Sequence, residues 1–135
     1  MPLYVALALS ALALLALLTL RRRSPATAPL AAEPEPSFQD LDGAAAAELV
    51  AATPELLMLD VRSPLEYAGG HLPNARSLPL DRLEAELSSL SREAPVLVYC
   101  AMGGRSAAAC ALLSSRGFQR VYNLESGIRS YPAPA

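Results

Sequence analysis

The stretch Pro95-Val-Leu-Val-Tyr-Cys-Ala-Met-Gly-Gly-Arg-Ser106 decides how this chain folds. Its apolar part, Val96–Tyr99, follows a proline and predicts a short buried β-strand. Residues 107–116 predict a helix that ends at Gly117. The cysteine between them therefore lies at the carboxyl end of a strand and faces a helix N-terminus. In an open parallel α/β sheet this position is the usual ligand crevice.

The loop between the predicted strand and helix is suited to a negative charge on Cys100. Gly103 and Gly104 tolerate positive φ angles, so successive backbone N–H groups can converge above the sulfur. These amides, the helix dipole and the Arg105 guanidinium favour a thiolate over a thiol, and an anion beside it. The alternative is an inert buried cysteine in a simple turn, which would give the two glycines and the arginine no role.

Four motifs follow one another along the chain: Leu59-Asp-Val-Arg-Ser-Pro-Leu-Glu-Tyr67, Gly70-His-Leu-Pro-Asn-Ala75, Cys100-Ala-Met-Gly-Gly-Arg-Ser106 and Gly117-Phe-Gln-Arg-Val-Tyr-Asn-Leu-Glu-Ser-Gly-Ile128. In this order they resemble the motifs of single-domain rhodaneses, sulfurtransferases whose active-site loop reads Cys-x-x-Gly-x-Arg-Ser. The agreement of four motifs makes the resemblance specific.

The resemblance implies that Cys100 is the catalytic residue of a sulfurtransferase. Its thiolate would take the outer sulfur of thiosulfate, a polysulfide or a persulfide, and would pass it to a thiol or cyanide. The substrate-binding residues would be those of the rest of the loop, Ala101, Met102, Gly103, Gly104, Arg105 and Ser106. For Ser106 two roles stay open, a cap of the next helix or a ligand of the anion. No cofactor is expected, and two cysteines with one histidine match no known zinc pattern.

The loop also bears on the choice of substrate. It has four residues between Cys100 and Arg105, whereas rhodanese-fold phosphatases and arsenate reductases, which the chain also resembles, have five. A phosphate ester needs the wider ring of amides, so a phosphatase is disfavoured. Because Ala101 and Met102 are apolar and Arg105 is the only charge in the loop, we expect polysulfide or protein persulfide to be a better donor than thiosulfate.

Four other residues are candidates with weaker support. Asp60 and Arg62 match a motif of the resembled family and could shape the electrostatics of the site, or could form a buried ion pair that pins a loop. His71, the only histidine, fits a structural hydrogen bond better than catalysis. Cys110 lies too far along the predicted helix to resolve a Cys100 persulfide, so we interpret it as a core residue.

Strands and helices alternate in the region that carries the motifs. This alternation predicts an α/β fold with a mostly parallel five-stranded sheet and helices on both faces. Asp81 and Glu84 have the spacing of a capping box, and Leu83, Leu87 and Leu90 share one helix face. The predicted strands are 37–39, 56–59, 76–78, 96–99 and 120–123; the predicted helices are 44–52, a short one opened by Ser63-Pro64, 81–90 and 107–116.

The N-terminal part of the chain predicts one transmembrane helix. Residues 3–20 carry no charge and span about 27 Å as a helix, close to a bilayer core of roughly 30 Å. Arg21, Arg22 and Arg23 follow at once, which places the N-terminus outside and the remainder in the cytoplasm. The alternative is a cleaved signal peptide and an exported domain, although such a peptide has its positive charges before the apolar segment.

These boundaries divide the chain into an anchor, residues 1–23, a proline-rich linker, residues 24–36, and a rhodanese-like domain, residues 37–135. Beyond residue 23, eight arginines and 13 acidic residues give a net charge of −5, so a nucleic-acid partner is not expected. The expected partners are a small sulfur anion or protein persulfide, an acceptor and the lipid bilayer. A second functional class stays open, a low-turnover sulfur relay or partner-binding module on the membrane.

Overall fold

The computed structural model describes residue 35 and residues 37–133. Within these ranges no helix is long and apolar enough to cross a membrane. The predicted membrane anchor and nearly all of the predicted linker lie outside the described residues. The account that follows therefore concerns the domain that carries the four motifs.

The described residues form a five-stranded parallel sheet in the order β1-β5-β4-β2-β3. The central strand β4 is buried at every position. The strands are β1 (Gln39–Leu41), β2 (Leu57–Asp60), β3 (Arg76–Ser77), β4 (Val96–Tyr99) and β5 (Val121–Leu124), and the helices are α1 (Gly43–Ala52), α2 (Pro64–Ala68), α3 (Leu80–Glu86) and α4 (Gly104–Ser115). The predicted α/β fold and parallel sheet are confirmed.

Alternate residues of the strands pack into two cores, one on each face of the sheet. Val96 and Val98 of β4 face a cluster that includes Leu83 from α3 and Leu113 from α4. Leu97 and Tyr99 face a second cluster with Ala46 from α1, against which Tyr67 of α2 packs. Because side chains alternate along a strand, a strand that is apolar throughout requires a cover on both sides.

The start of α3 differs from the sequence prediction. The N-cap residue is Pro79, which makes no side-chain cap, so the expected capping box of Asp81 and Glu84 is wrong. A capping box exists instead at α2, where Ser63 and Glu66 bond each other's backbone N–H groups and Pro64 occupies the first turn. The three leucines of the predicted apolar face, Leu83, Leu87 and Leu90, are buried, but the helix tightens to a 3₁₀ turn at Leu87–Ser89.

The helix α4 begins three residues earlier than predicted. Gly103 is its N-cap, with φ of 102°, and the N–H of Ala107 bonds to the carbonyl of Gly103 at 3.0 Å. Gly104 has an ordinary helical conformation, so only one glycine of the pair supplies the expected positive φ. The strand therefore passes into the helix over only four intervening residues, 100–103. The predicted end of this helix at Gly117 is confirmed, since Gly117 has φ of 91° and follows the C-cap residue Arg116.

Two glycines allow the segment after β4 to lie directly on the turn after β5. A Cβ atom at Gly103 would overlap the carbonyl oxygen of Glu125, and one at Gly127 would overlap that of Ala101. The N–H of Ile128 donates to the carbonyl of Cys100 at 2.9 Å and holds the same contact. The backbone from residue 100 to residue 103 is thus clamped against residues 125–128.

Replacing Gly103 by alanine should destabilise the domain, because the new Cβ meets backbone and the φ angle is strained. We expect Gly103→Ala to lower the free energy of unfolding of the full chain by about 2 kcal/mol or more in urea titrations. Gly104→Ala is the matched control: nothing lies within 4 Å of its Cβ position, so its effect should stay within about 0.5 kcal/mol. Equal effects of the two substitutions would contradict this account of the loop.

Candidate active site

Cys100 is the first residue after β4 and lies where that strand meets the N-terminus of α4. Only 1% of the residue is exposed. The N–H of Gly103 donates to its Sγ at 3.0 Å, and the Oγ of Ser106 lies 3.4 Å from the sulfur. The structure thus has the cysteine where the sequence predicts it, at the carboxyl edge of a parallel sheet.

The environment of Cys100 favours its ionised form. Burial, the largest single influence, raises the pKa of the thiol. Hydrogen bonds from the Ser106 hydroxyl and from the backbone amides of Ser106, Met102 and Gly103 act in the opposite direction, and together they lower the pKa below that of an ordinary cysteine. A hydrogen bond to a charged group contributes about 1.5–3 kcal/mol, so several of them outweigh the cost of burying the thiolate.

Ser106 lies in the first turn of α4 and does not cap the helix, so the capping interpretation is wrong. The reason is the early start of α4 at Gly104, which moves the cap to Gly103. The Ser106 hydroxyl is fully buried, donates to the carbonyl of Gly103 at 3.1 Å and contacts the sulfur. Its single proton thus has two acceptors, the carbonyl and the thiolate.

Arg105 points to a partner that sequence reasoning missed. Its guanidinium donates two hydrogen bonds to Glu66 of α2, at 2.8 and 2.9 Å. Glu66 is available because the capping box of α2 holds its carboxylate at the helix N-terminus. The spacing Ser63-Pro-Leu-Glu66 was the sequence signal for this position.

The two apolar residues of the loop lie at the protein surface. Met102 is 86% exposed, one of the two large hydrophobic residues that the described part of the chain leaves so open. Ala101 and Met102 line one side of a cleft of about 590 Å³ whose other side consists of Glu125, Ser126 and Arg129. The loop therefore offers apolar surface next to the enclosed sulfur.

Asp60 and Arg62 form a buried ion pair. Asp60 is completely buried and accepts bonds from the Arg62 side chain, the shortest at 2.7 Å. Arg62 also donates to the carbonyl of Gly70 at 2.7 Å, and its guanidinium lies 5.7 Å from the centre of the Tyr99 ring. Asp60, by hydrogen bonding, raises the pKa of Arg62, which is therefore charged. Of the two interpretations of Asp60 and Arg62, the geometry fits a buried ion pair that holds a loop in place.

The remaining candidates have structural contacts only. His71 is exposed, its ring stacks on Tyr67 at 3.7 Å and its Nδ1 lies 3.0 Å from the Tyr67 carbonyl oxygen. Cys110 is in the core, where burial raises the pKa of its thiol and its Sγ lies 3.5 Å from the carbonyl of Tyr122. Within the described part of the chain, neither His71 nor Cys110 forms a hydrogen bond with Cys100.

The chain is similar in sequence to known proteins. Residues 43–133 match the rhodanese-like domain family. A sulfurtransferase of Allochromatium vinosum is 36% identical over 89 residues, which cover 66% of this chain and 83% of that protein. The tRNA uridine(34) hydroxylase of Cronobacter sakazakii is 32% identical over 88 residues, but these cover only 25% of that enzyme against 61% of this chain.

The fold agrees as well. A rhodanese-like domain protein of Staphylococcus aureus superposes with a TM-score of 0.65 at 25% identity, over 70% of this chain and 92% of that protein. The family match spans more than half of the chain and includes α1, the loop with Cys100 and the turn after β5. The chain therefore belongs to the rhodanese-like sulfurtransferase family.

Proposed function

We propose that Cys100 carries a sulfane sulfur between a donor and an acceptor. In the first step the Cys100 thiolate attacks the outer sulfur of the donor. With thiosulfate, an S–S bond forms at Cys100, the S–S bond of the donor breaks with its electron pair, and sulfite leaves. Cys100 then bears a persulfide anion, and no proton is gained or lost.

In the second step a nucleophile attacks the outer sulfur of the persulfide. Cyanide takes up this sulfur and leaves as thiocyanate, whereas an acceptor thiolate takes it up and leaves as a new persulfide. In both cases Cys100 becomes a thiolate again. The two half-reactions predict ping-pong kinetics. A low pKa of the Cys100 thiol favours both steps, because its thiolate is the attacking group in the first step and the leaving group in the second.

The single observation that carries the proposal is the set of donors around Sγ. The N–H of Gly103 and the hydroxyl of Ser106 are held by the start of α4, so they need not reorganise when charge develops on the sulfur. The backbone N–H groups of Met102 and Ser106 also stabilise negative charge on this sulfur. An anion at this place gains from the helix N-terminus as well.

A mass measurement tests the proposal directly. The full chain, incubated with thiosulfate or polysulfide and then freed of excess donor, should gain the mass of one sulfur atom and lose it on addition of cyanide. Cys100→Ser should gain nothing. Cys110→Ser, the matched control, should gain the sulfur as the unchanged chain does, since Cys110 is buried away from the loop.

The acceptor step separates an enzyme from a relay. Many rounds of sulfur transfer per chain with cyanide or a small thiol support an enzyme, whereas one sulfur that is held and passed only to a protein supports the relay. A chain that takes up no sulfur from any of these donors would refute both.

The low pKa of Cys100 has a consequence for its reactivity. Alkylation of Cys100 by iodoacetamide should stay fast as the pH falls below the pKa of a free cysteine, and should slow only as the pH passes through the lowered value. Ser106→Ala removes a donor to the thiolate, so the pKa rises, the midpoint moves to higher pH, and the rate at pH 7 falls about threefold or more.

Ser115→Ala is the control for that measurement. Ser115 belongs to the same helix, but its hydroxyl donates to the carbonyl of Leu112 at 2.7 Å, far from the sulfur. The midpoint for Cys100 in this variant should equal that of the unchanged chain. A midpoint that Ser106→Ala also leaves unchanged would show that the hydroxyl does not act on the thiolate.

We also propose, from the sequence alone, that residues 3–20 anchor the chain in a membrane with the domain in the cytoplasm. The full chain should then stay in the membrane pellet after alkaline carbonate extraction. Leu12→Arg combined with Leu15→Arg should release it, because each charge costs about 2.5–3.5 kcal/mol at the bilayer centre. A shortened chain found outside the cell would instead support the cleaved signal peptide.

A further inference from the structure

Arg105, the only charged residue of the loop, is paired with a carboxylate. Its Nη1 and Nη2 bind the two oxygens of Glu66 at 2.8 and 2.9 Å, in the two-pronged geometry that suits guanidinium and carboxylate. Both side chains are partly open to solvent, 41% and 36% respectively. At Arg105, an anionic donor that approaches Cys100 therefore meets an ion pair without net charge rather than a free cation.

Glu66 is held in place independently of Arg105. Its Oε2 accepts the N–H of Ser63 at 2.9 Å, and its own N–H donates to the Ser63 hydroxyl at 3.2 Å. Arg105 first, and Ser63 next, hold the pKa of Glu66 well below its usual range, so the carboxylate is ionised whenever Cys100 is a thiolate. The guanidinium is therefore drawn to a carboxylate whose position α2 has already determined.

We infer that Glu66 sets the donor specificity of this chain: by neutralising Arg105 it disfavours doubly charged donors and leaves singly charged sulfane donors, organic thiosulfonates and persulfides, as the preferred class. This inference rests on the sulfur transfer proposed above. Glu66 is a positioning residue, since it acts through Arg105 and does not touch the sulfur. The apolar surface of Ala101 and Met102 beside the loop suits the organic part of such donors.

Two donors with the same sulfur chemistry and different charge test the inference. Thiosulfate has two negative charges and releases sulfite; methanethiosulfonate has one and releases methanesulfinate. With either donor the Cys100 thiolate gains one sulfur and the donor S–S bond breaks with its electrons on the leaving group. In ping-pong kinetics with cyanide as acceptor, kcat/KM for the donor reports the first half-reaction only.

Glu66→Gln is the decisive variant. Glutamine keeps the size of the side chain and can still accept the N–H of Ser63, so α2 keeps its cap. It frees the charge of Arg105, so kcat/KM for thiosulfate should rise relative to kcat/KM for methanethiosulfonate by about fivefold, mainly through KM. The gain should shrink at high ionic strength, where charges are screened.

Two further variants make the result specific. Glu84→Gln removes the same charge from another exposed arginine pair, with Arg116, and should leave the donor ratio unchanged. Arg105→Gln removes the cation and keeps the carboxylate, so the donor ratio should change in the opposite direction, against thiosulfate.

The outcomes separate this inference from the proposed function. If the unchanged chain forms the Cys100 persulfide but Glu66→Gln leaves the donor ratio as it was, the inference is wrong and the sulfur transfer stands. Equal losses with both donors in Glu66→Gln would mark Glu66 as purely structural and would also overturn it. If no donor loads Cys100 in the unchanged chain, the function and the inference fall together.

Discussion

The left-handed turn at Gly103 joins the sheet, the helix and the sulfur of this protein. With φ of 102°, this residue directs its N–H to Cys100 and starts α4 with the next residue. Any side chain at this position would also push the loop off the turn after β5. The placement of the sulfur, its hydrogen bonds and the helix that faces it therefore have a common origin in one backbone conformation.

Dipoles contribute more than the neighbouring cation to the stabilisation of the charge at this site. The donors to Cys100 are peptide N–H groups and a hydroxyl, all held by the loop and the first turn of α4. The one cation of the loop is bound outward, to Glu66. Fixed dipoles can stabilise a buried thiolate without the cost of burying a second charge, and they leave the net charge at the mouth of the site near zero.

The sequence predicted most of the fold because its strongest signals are local. The apolar run of β4, the Ser63-Pro64 helix start and the three leucines of one helix face all depend on patterns within a few residues. The wrong capping box at α3 came from a spacing that two exposed residues share with true caps. At that point Pro79 starts the helix without a side-chain cap, and the N–H of Leu80 donates to the carbonyl of Val61 at 3.2 Å.

The candidate site was predictable in its position but not in its contacts. The cysteine, the turn and the helix could be placed from the order of strand, glycine and serine. The direction of Arg105 could not, because it depends on Glu66, 39 residues away in the chain and brought near only by the parallel order of β2 and β4. The contact between Gly127 and Ala101 could not be predicted either, because no local sequence pattern indicates it.

The two edge strands of the sheet are also its shortest: β1 has three residues and β3 has two. An edge strand leaves peptide groups without partners, and a long one can recruit a strand from another molecule. Here each edge offers only a few such groups, and the apolar strands are enclosed in the centre. Short edges of this kind limit edge-to-edge aggregation and favour contact with other proteins through side chains and loops.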